Sequence, residues 1–534
     1  MKLTIFSFLL LLQLAAAAQT GRMPDGGGHY ADFMHVTDEL SAAQRAAIIT
    51  MLQKNEGQLK QLGSLPARLS PTAQSFGWPL KQGLNYNDPG FYGISNYIDH
   101  NAAFPNQVTD YNCGTRSYDL SSGYNHKGTD IFTWPYGWQK MANNAVEIVA
   151  CAPGTIIGKS DGNFDQNCAF CSGACNWNAV YVMHADGSVA WYGHMKSGSL
   201  TPKANGQTVA EGEYLGVVGS SGNSTGPHLH LEVYTNSSYT QLVDPWAGAC
   251  NATNGTTSWW ANQQPYYVST INKVMTHGAA PQTGQCPAQE IPNEKINFIP
   301  GQVIYLSGYY RDQQNGQQSV HRVFRPDGSL HTSWTQNFTS YYAASWWYYS
   351  LTLPANAAPG TWRYEVTYNV TQKASTAFIV STAALSVCRN NSYPLSANIT
   401  GTSFQWQVNS GAGFTNIEDG ILYSGTNTAQ LMLKNLSSGF YNYQYRCVAD
   451  GSNFSNIITL KFTSYWQGGK SGSWEDPQNW NCGNIPDANT DVVINAGSFN
   501  PLVSSLAECR SITLQPGTDI QVNTGYKLNV RGGQ

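Results

Sequence analysis

The sequence predicts a mainly β chain of several domains that ends in immunoglobulin-like β-sandwich modules. Its 534 residues exceed what one ordinary hydrophobic core accommodates, so several domains are expected. Charged residues make up only 11% of the chain, and the mixture of Gly, Asn, Ser, Thr, Tyr and Trp is typical of short strands joined by turns. The formal net charge of −4 does not indicate nucleic-acid binding, because a protein that binds nucleic acid needs a basic face.

The first eighteen residues have the order of an export signal. Lys2 precedes an apolar run over residues 3–14, and four alanines then form a small-residue cleavage site. The run is shorter than the roughly 20 apolar residues that a membrane helix needs, although an uncleaved anchor is the alternative. We therefore predict a signal peptide over residues 1–18 and an exported protein that is extracellular, at the cell surface or periplasmic. No later segment is long and apolar enough to predict a membrane span.

Residues 19–75 form an N-terminal segment. The stretch up to about residue 36 is rich in glycine, and we expect it to be loose. Thr37 precedes two acidic residues, and apolar residues then recur at helical spacing, so an amphipathic helix is predicted from Thr37 to Gly63. A linker with proline and serine follows. The segment is either a pro-region that covers a functional site or an inert spacer.

From residue 76 onward, short strand-like runs alternate with turn residues, which is the pattern of β domains. The clearest hairpin joins residues 178–184 to residues 188–194 through Asp186-Gly187, a pair typical of tight β-turns. The predicted units are a first β domain at 76–250, a linker at 251–289, a β-sandwich-like domain at 290–381, an immunoglobulin-like domain at 384–464 and a C-terminal β-rich module at 465–534.

Eleven cysteines in an exported chain predict disulfides before metal thiolates, and the odd number leaves at least one without an intramolecular partner. Cys388 and Cys447 bracket Trp406 in the order of an immunoglobulin-like sandwich, which predicts that these two cysteines pair. Cys482 and Cys509 are candidates to close a C-terminal loop. A disulfide staple is favoured over a second metal site for the cluster in the insertion over residues 161–176, which consists of Cys168, Cys171 and Cys175.

Three short stretches concentrate the histidines. They are His126-Lys-Gly-Thr-Asp130, Tyr-Gly-His194 and His228-Leu-His230-Leu-Glu232. Side chains two apart on a strand point to the same face, so His228 and His230 are predicted to share one space. The apolar residues between and after them, at positions 229, 231 and 233, are predicted to face a core.

These residues fit the chemistry of a catalytic zinc ion, which takes three protein ligands and keeps one position for water. His126, Asp130 and one histidine of the pair would supply two nitrogens and a carboxylate, for a net charge of roughly +1 that favours ionisation of the water. Two further imidazoles are then needed to take the proton and to stabilise the charge on the carbonyl oxygen, and His194 and His228 are available. Glu232 is either an acceptor that orients a ligand or a plain solvated carboxylate.

In this order, the His-x-Gly-x-Asp box, the Tyr-Gly-His box and the run Gly-Asn-Ser-Thr-Gly-Pro-His-Leu-His resemble the motifs of lysostaphin-type zinc endopeptidases. These are also called the LytM or β-lytic metalloendopeptidase family, and the resemblance covers about residues 90–250. It implies that His126, Asp130 and His230 bind Zn²⁺, while His194 and His228 act on the water and the transition state. It also implies a largely antiparallel β peptidase domain with an open groove.

The resemblance implies an exported zinc metalloendopeptidase that hydrolyses peptide bonds in bacterial peptidoglycan by a metal-activated water, in glycine bridges or in stem-peptide crosslinks. The cysteine-bearing insertion departs from the family pattern and leaves the substrate choice open. The alternative is a non-catalytic cell-wall-binding protein, or an adhesin whose C-terminal modules contact glycans. The complete set of ligands favours catalysis, because relatives that lost turnover typically lack ligands.

The remaining histidines and the aromatic pairs are predicted to be structural. For Trp259-Trp260 and the run from Trp346 to Tyr349, packing in cores or strands is favoured over stacking on sugars. The histidines outside the three stretches are expected to have structural roles, and they are His29, His35, His100, His184, His277, His321 and His331.

Overall fold

The computed structural model describes residues 21–30, 40–65, 75–169, 175–284, 290–381, 383–397, 399, 401–451 and 453–532. The predicted signal peptide and helix start at Thr37 lie outside these residues, as do His35 and Cys171. The described residues fold mainly into β-strands, which confirms the predicted fold class. None of the helices in these ranges is both long and apolar enough to cross a membrane.

The N-terminal segment contributes strand β1 (Gly26–His29) and helix α1 (Ala42–Gln61). Ser41 caps the helix, because its hydroxyl accepts a hydrogen bond from the Gln44 amide while the Gln44 side chain returns to the Ser41 amide. The helix ends at Gln61, two residues before its predicted end at Gly63. Leu52 and Leu59 bury one side of it against the first β domain.

The Gly-rich stretch that was expected to be loose contains an ordered strand. β1 pairs antiparallel with residues 345–348 of a later strand. The two backbones approach closely, and a Cβ atom on Gly27 would lie 2.1 Å from the carbonyl oxygen of Trp346. The glycine run therefore permits close pairing of two strands and does not make the segment loose. The hydrophobic periodicity of the sequence does not reveal such a pairing.

The first domain consists of two antiparallel sheets with a hydrophobic core between them. The larger sheet has the order β3-β4-β11-β8-β7-β6-β9 with β12 beside β11, and the smaller has the order β10-β5-β2. The predicted hairpin is confirmed as β7–β8. The elements are β2 (Leu80–Gln82), β3 (Tyr92–Asn96), β4 (Thr129–Thr133), α2 (Gly137–Ala142), β5 (Val146–Val149), β6 (Gly154–Ser160), β7 (Ala179–His184), β8 (Val189–Gly193), β9 (Thr208–Val209), β10 (Tyr214–Val217), β11 (His228–Tyr234) and β12 (Leu242–Val243).

The two faces of β11 have different roles, as the alternation of its sequence predicts. Leu229, Leu231 and Val233 point into the core between the two sheets. Tyr234 belongs to a second hydrophobic cluster on the opposite face, where α1 packs. His228, His230 and Glu232 alternate with the core residues, so they share the face that α1 partly covers.

The second domain is a sandwich of two sheets, with orders β1-β18-β15-β13 and β14-β20-β19-β16-β17. Strand β13 lies inside the segment that was predicted to be a linker, and Ile271 and Val274 of that strand belong to the core of the sandwich. The strands after β1 are β13 (Thr270–His277), β14 (Asn297–Phe298), β15 (Val303–Gln313), β16 (Gln318–Phe324), β17 (Leu330–Asn337), β18 (Tyr342–Thr352), β19 (Gly360–Tyr368) and β20 (Gln372–Val380).

The first and second domains are joined by buried polar and aromatic contacts. Arg116 donates to Asp312 over 2.6 Å, and the indole of Trp134 donates to the carbonyl oxygen of Tyr310 over 3.1 Å. Trp134 and Tyr309 also belong to one hydrophobic cluster that includes Tyr30 of the N-terminal segment. We propose on this basis that the second domain begins near residue 268 instead of residue 290.

The third and fourth domains share a continuous strand. β29 closes the third domain, a sandwich with Trp406 and Cys447 in its core, and pairs in parallel with β30 of the fourth. The third domain comprises β21 (Ala383–Val387), β22 (Tyr393–Ser396), β23 (Phe404–Asn409), β24 (Phe414–Asn416), β25 (Tyr423–Ser424), β26 (Gln430–Leu433), β27 (Gln444–Ala449), β28 (Asn453–Phe454) and β29 (Ile458–Trp466). The fourth comprises β30 (Asp491–Ile494), β31 (Leu502–Val503), β32 (Leu506–Cys509), β33 (Ser511–Leu514), β34 (Gln521–Val522) and β35 (Lys527–Val530).

The disulfides differ from two of the predicted pairings. Cys388 bonds to Cys482 and thereby links the third domain to the fourth, whereas Cys447 and Cys509 are free and buried. The predicted pairs Cys388–Cys447 and Cys482–Cys509 are therefore wrong, because Cys447 fills the sandwich core beside Trp406 as a small apolar side chain. In the insertion, Cys168 and Cys175 each take part in a disulfide bond, which agrees with the preference for disulfides over a second metal site. A further disulfide joins Cys113 to Cys250.

Candidate metal centre

One rung of the larger sheet in the first domain brings the predicted ligands together. The strand register sets Asn96 opposite Asp130, Asp130 opposite His230, and His230 opposite Gly193. His194 follows Gly193 and leaves the strand with a left-handed backbone, φ 59°. Antiparallel pairing thus gathers groups that are far apart in the sequence onto one rigid element, which is how a metal site is held firmly.

His126, Asp130 and His230 form a compact, buried cluster. Each offers one ligand atom, and these atoms all lie within 4.8 Å of one another. His126 Nε2 is 3.1 Å from Asp130 Oδ2, and His230 Nδ1 is 2.9 Å from Asp130 Oδ1. Two imidazole nitrogens and one carboxylate are a donor set typical of zinc, which binds such atoms at about 2.0–2.2 Å. The residues present therefore fit the ion, and the described part of the chain holds no second cluster of this kind.

The other nitrogen of each histidine in the cluster faces an acceptor. His126 Nδ1 is 2.7 Å from the carbonyl oxygen of Tyr97, and His230 Nε2 is 3.3 Å from Glu232 Oε2. Donation of the ring N–H to these acceptors leaves the lone pairs of His126 Nε2 and His230 Nδ1 directed at the cluster. Asn96 Nδ2 donates to Asp130 Oδ2 over 3.0 Å and fixes the carboxylate in the same way.

Glu232 is completely buried, so the interpretation of a solvated carboxylate does not hold. Burial by itself would raise its pKa, but the guanidinium of Arg45 and the imidazole of His230 outweigh burial and lower the pKa to about 2. Glu232 therefore remains ionised and available as an acceptor for the His230 ring.

His194 and His228 lie side by side next to the cluster, with ring centroids 4.4 Å apart. His194 Nδ1 is 2.6 Å from the carbonyl oxygen of Ser221, and His228 Nδ1 is 2.8 Å from that of Gly226. Both Nε2 atoms are then turned away from these loops, and His228 Nε2 lies 3.9 Å from Asp130 Oδ1. Two oriented imidazoles beside a metal cluster provide for proton transfer and for stabilisation of an oxyanion.

Two glycines of the motifs are explained by close approach. A Cβ atom on Gly128 would lie 2.5 Å from Cε1 of His230, so the His-x-Gly-x-Asp box has no room for a side chain there. A Cβ atom on Gly193 would lie 2.4 Å from the ring of Trp177. The glycines thus allow the ligand ring and an aromatic wall to reach the backbone.

Two aromatic residues at the site were not predicted from the sequence. Tyr118 stacks on His126 with centroids 4.6 Å apart, and Trp177 lies 5.2 Å from His194 and 5.9 Å from His230. Trp177 could have been found from the sequence, because it lies directly between the cysteine-bearing insertion and the hairpin. Tyr118 had no comparable signal, since its loop is placed by contacts far apart in the sequence. The described histidines that were expected to be structural lie outside the cluster.

The sequence profile of peptidase family M23 matches residues 124–245, which contain all three histidine motifs. A second profile, for a domain of unknown function (DUF8693), matches residues 465–533. The DD-carboxypeptidase/endopeptidase Mpg of Neisseria meningitidis serogroup B is 48% identical over 68 residues, which is 13% of this chain. The chain thus spans only 14% of the length of that relative.

Two solved structures are similar to part of the chain. A zinc containing peptidase from Vibrio cholerae is 19% identical with a TM-score of 0.20, and the match covers 32% of this chain and 39% of that one. The catalytic domain of the prophage-encoded M23 protein EnpA from Enterococcus faecalis, a point mutant, is 25% identical with a TM-score of 0.19, covering 33% and 96%. On the profile match and the motifs it contains, residues 124–245 form a domain of peptidase family M23, as the lysostaphin-type resemblance predicted.

Proposed function

We propose that the chain is an exported zinc metalloendopeptidase that hydrolyses peptide bonds in bacterial peptidoglycan. The observation that carries this proposal is the buried cluster of His126, Asp130 and His230 with two further imidazoles beside it, inside an M23 domain. The similar Mpg protein is named for carboxypeptidase and endopeptidase activity, which supports cleavage of peptide bonds. The choice of peptidoglycan rests on the motifs that the chain shares with lysostaphin-type enzymes.

In the proposed mechanism, zinc would be held by Nε2 of His126, a carboxylate oxygen of Asp130 and Nδ1 of His230. Zinc, when bound, supplies a Lewis acid that polarises the peptide carbonyl and makes water easier to deprotonate. His194, whose Nδ1–H donates to the carbonyl oxygen of Ser221, would accept the proton of the attacking water at Nε2 and would then give a proton to the nitrogen of the departing amine. His228 would donate from Nε2 to the oxygen that gains negative charge while the ring is an imidazolium, because its Nδ1–H already donates to the carbonyl oxygen of Gly226.

Export agrees with the disulfide chemistry. The bonds Cys113–Cys250 and Cys388–Cys482 join residues that are far apart in the sequence, and such bonds persist in oxidising compartments. The predicted signal peptide would deliver the chain there.

The test is to measure metal content and hydrolysis on the same preparation. We expect about one zinc per chain by mass spectrometry of the metal, clearing of a peptidoglycan suspension, and loss of clearing on chelation that zinc restores. Mass spectrometry of fragments from defined muropeptides would then identify the bond that is cut. A protein that binds no zinc, or that binds zinc and releases no new amino groups from peptidoglycan, would refute the proposal.

The alternative of a non-catalytic wall-binding or adhesin protein is less well supported. The aromatic residues that were candidates for glycan stacking are largely used in packing, because Trp260 and Tyr349 are buried in cores and Trp347 packs against one. The full chain with His230→Ala tests the alternative, since a binding protein would sediment with cell walls as well as the wild type does and neither protein would clear them.

A further inference from the structure

Helix α1 reaches the metal centre of the first domain through one long side chain. Arg45 Nη1 forms an ion pair with Oε1 of Glu232 and donates to the hydroxyl of Tyr234 over 2.8 Å. Its guanidinium also lies over the ring of Trp191, 5.6 Å from the centroid. The Arg45 side chain is 13% exposed and that of Glu232 is fully buried, so this is an interior contact between the N-terminal segment and the sheet.

The two oxygens of Glu232 have separate partners. Oε1 accepts from both Arg45 and the Tyr234 hydroxyl. Oε2 faces Nε2 of His230 at 3.3 Å. Because Arg45 and Tyr234 hold Oε1 in place, the direction of Oε2 is fixed as well. Oε2 is the oxygen that faces the imidazole ring of His230.

The geometry points to Arg45 as a positioning residue that acts through Glu232 to orient His230 for metal binding. This inference rests on the proposed function, in which His230 Nδ1 is a zinc ligand. An acceptor on the outer nitrogen of a ligand histidine fixes its tautomer and ring orientation, and loss of such partners typically weakens metal binding by about 10–100-fold. Here Arg45, a residue of the N-terminal segment, contacts Glu232, and Glu232 in turn contacts His230.

Docking of the helix does not depend on Arg45 alone. Leu52 and Leu59 bury the middle and end of α1. Asn55 Nδ2 donates to the carbonyl oxygen of Ile157 over 2.9 Å, and Glu56 accepts from the hydroxyl of Tyr239 over 2.7 Å. These contacts anchor the helix away from Glu232, so the role of Arg45 can be separated from docking by mutation.

The experiment compares zinc affinity in the full-length protein by competition with a chromophoric chelator. We expect Arg45→Met to weaken zinc binding by about tenfold and Glu232→Gln by a similar factor. Arg45→Met should add less than about twofold in the Glu232→Gln background, because its effect passes through that carboxylate. The matched control Asn55→Ala removes another contact between the same helix and the sheet and should change zinc affinity less than about twofold.

A second readout needs no metal. In zinc-free protein labelled with ¹⁵N-histidine, the Nε2 proton of His230 should exchange slowly with solvent in the wild type and in Asn55→Ala, because it is hydrogen-bonded to Glu232, and should exchange faster in Arg45→Met. If Arg45→Met does not fold, Arg45→Lys replaces it, with an expected loss of about threefold since one point charge replaces the planar guanidinium.

Unchanged zinc affinity and unchanged exchange of the His230 Nε2 proton in a folded Arg45 variant would overturn the inference, and so would an equal loss in Asn55→Ala. If the wild type binds no zinc, the proposed function fails instead, and the exchange measurement still decides what Arg45 does to His230.

Discussion

At the scale of single residues, the five groups of the centre divide into three that are proposed to hold the metal and two that are proposed to act beside it. His126, Asp130 and His230 form the mutually close set, while His194 and His228 have their Nδ1 atoms engaged by loop carbonyls. This division gives each residue a distinct mutational signature.

Replacement of His230 by alanine is expected to abolish stoichiometric zinc binding. One of only three protein ligands would be lost, and the buried carboxylates of Asp130 and Glu232 would each lose a partner. Metal analysis after dialysis against a weak chelator measures the effect, with clearing of peptidoglycan as the second assay. A His230→Ala protein that retained one zinc per chain would show that the ligand assignment is wrong.

Replacement of His194 by alanine is expected to leave zinc content near the wild-type value and to lower turnover by about 10²–10⁴-fold, the usual contribution of a general acid or base. The reason is that His194 stands beside His228 and does not belong to the cluster of ligand atoms. Rates of muropeptide cleavage at saturating substrate measure the loss. Full activity in a zinc-loaded His194→Ala protein contradicts the assigned role.

Replacement of Gly128 by alanine is expected to weaken zinc binding although Gly128 is no ligand. The added methyl would lie 2.5 Å from Cε1 of His230, and the ring or the strand must shift to admit it. Overpacking of this kind costs about 1–3 kcal/mol, which corresponds to roughly 5–150-fold in zinc affinity if the shift falls on the ring. The control is Gly57→Ala, where nothing lies within 4 Å, and equal zinc affinities of the two variants would contradict the expectation.

The sequence predicts well which three side chains form the cluster, and it predicts the surroundings of that cluster poorly. His126, Asp130 and His230 lie in motifs whose spacing reflects local strand geometry. The alternation of polar and apolar residues in β11 can be read directly from the sequence. Arg45 and Tyr118 approach the centre from segments whose docking is decided by long-range packing. No local pattern carries that information.

At the scale of elements, local signals succeed where one strand or turn decides the structure. The Asp186-Gly187 hairpin and the end of α1 near Gly63 were predicted from short stretches. β1 and β13 were missed because their partners lie in other parts of the chain, and a glycine run or a short alternating stretch does not identify such partners.

The disulfides illustrate the same limit. Spacing around Trp406 suggested a bond within the third domain, but Cys388 lies after the end of β21 and reaches Cys482 in the fourth domain. Pairing of cysteines is a matter of three-dimensional distance, and the order of residues along the chain leaves several connectivities open.

The bond between Cys388 and Cys482 is expected to stabilise the third and fourth domains jointly. Cys388→Ser and Cys482→Ser should each lower their stability by about 2–4 kcal/mol, and the double variant should lose no more than about the larger single loss. Denaturant unfolding followed by tryptophan fluorescence measures this, because Trp474 and Trp480 of the fourth domain are buried in one cluster with Trp466, the last residue of β29. The free Cys447 is the control, and an equal loss in the mild variant Cys447→Ala would count against a specific role for the bond.

At the scale of the whole molecule, the N-terminal segment ties two domains together. β1 adds a strand to the second domain, and α1 covers part of the face of the first domain that carries the histidines. Tyr30 lies between them in a cluster with Trp134 and Tyr309, which belong to the first and second domains. The segment therefore packs against both domains, which neither an inert spacer nor a loosely attached pro-region would do.

A chain that begins at residue 75 is accordingly expected to be less stable and to bind zinc more weakly than the full chain. Loss of α1 removes the buried side chains of Leu52 and Leu59, each worth about 1.5–3 kcal/mol of burial, and uncovers Ile157 and Tyr181 on the sheet. The melting temperature of the first domain and the zinc affinity measure both effects. Leu62→Ala in the full chain is the control, since Leu62 is 76% exposed and its loss should change neither quantity. A removable pro-region predicts the reverse, namely a shortened chain that melts at the wild-type temperature and clears peptidoglycan at least as fast, and that result would exclude a structural role for the segment.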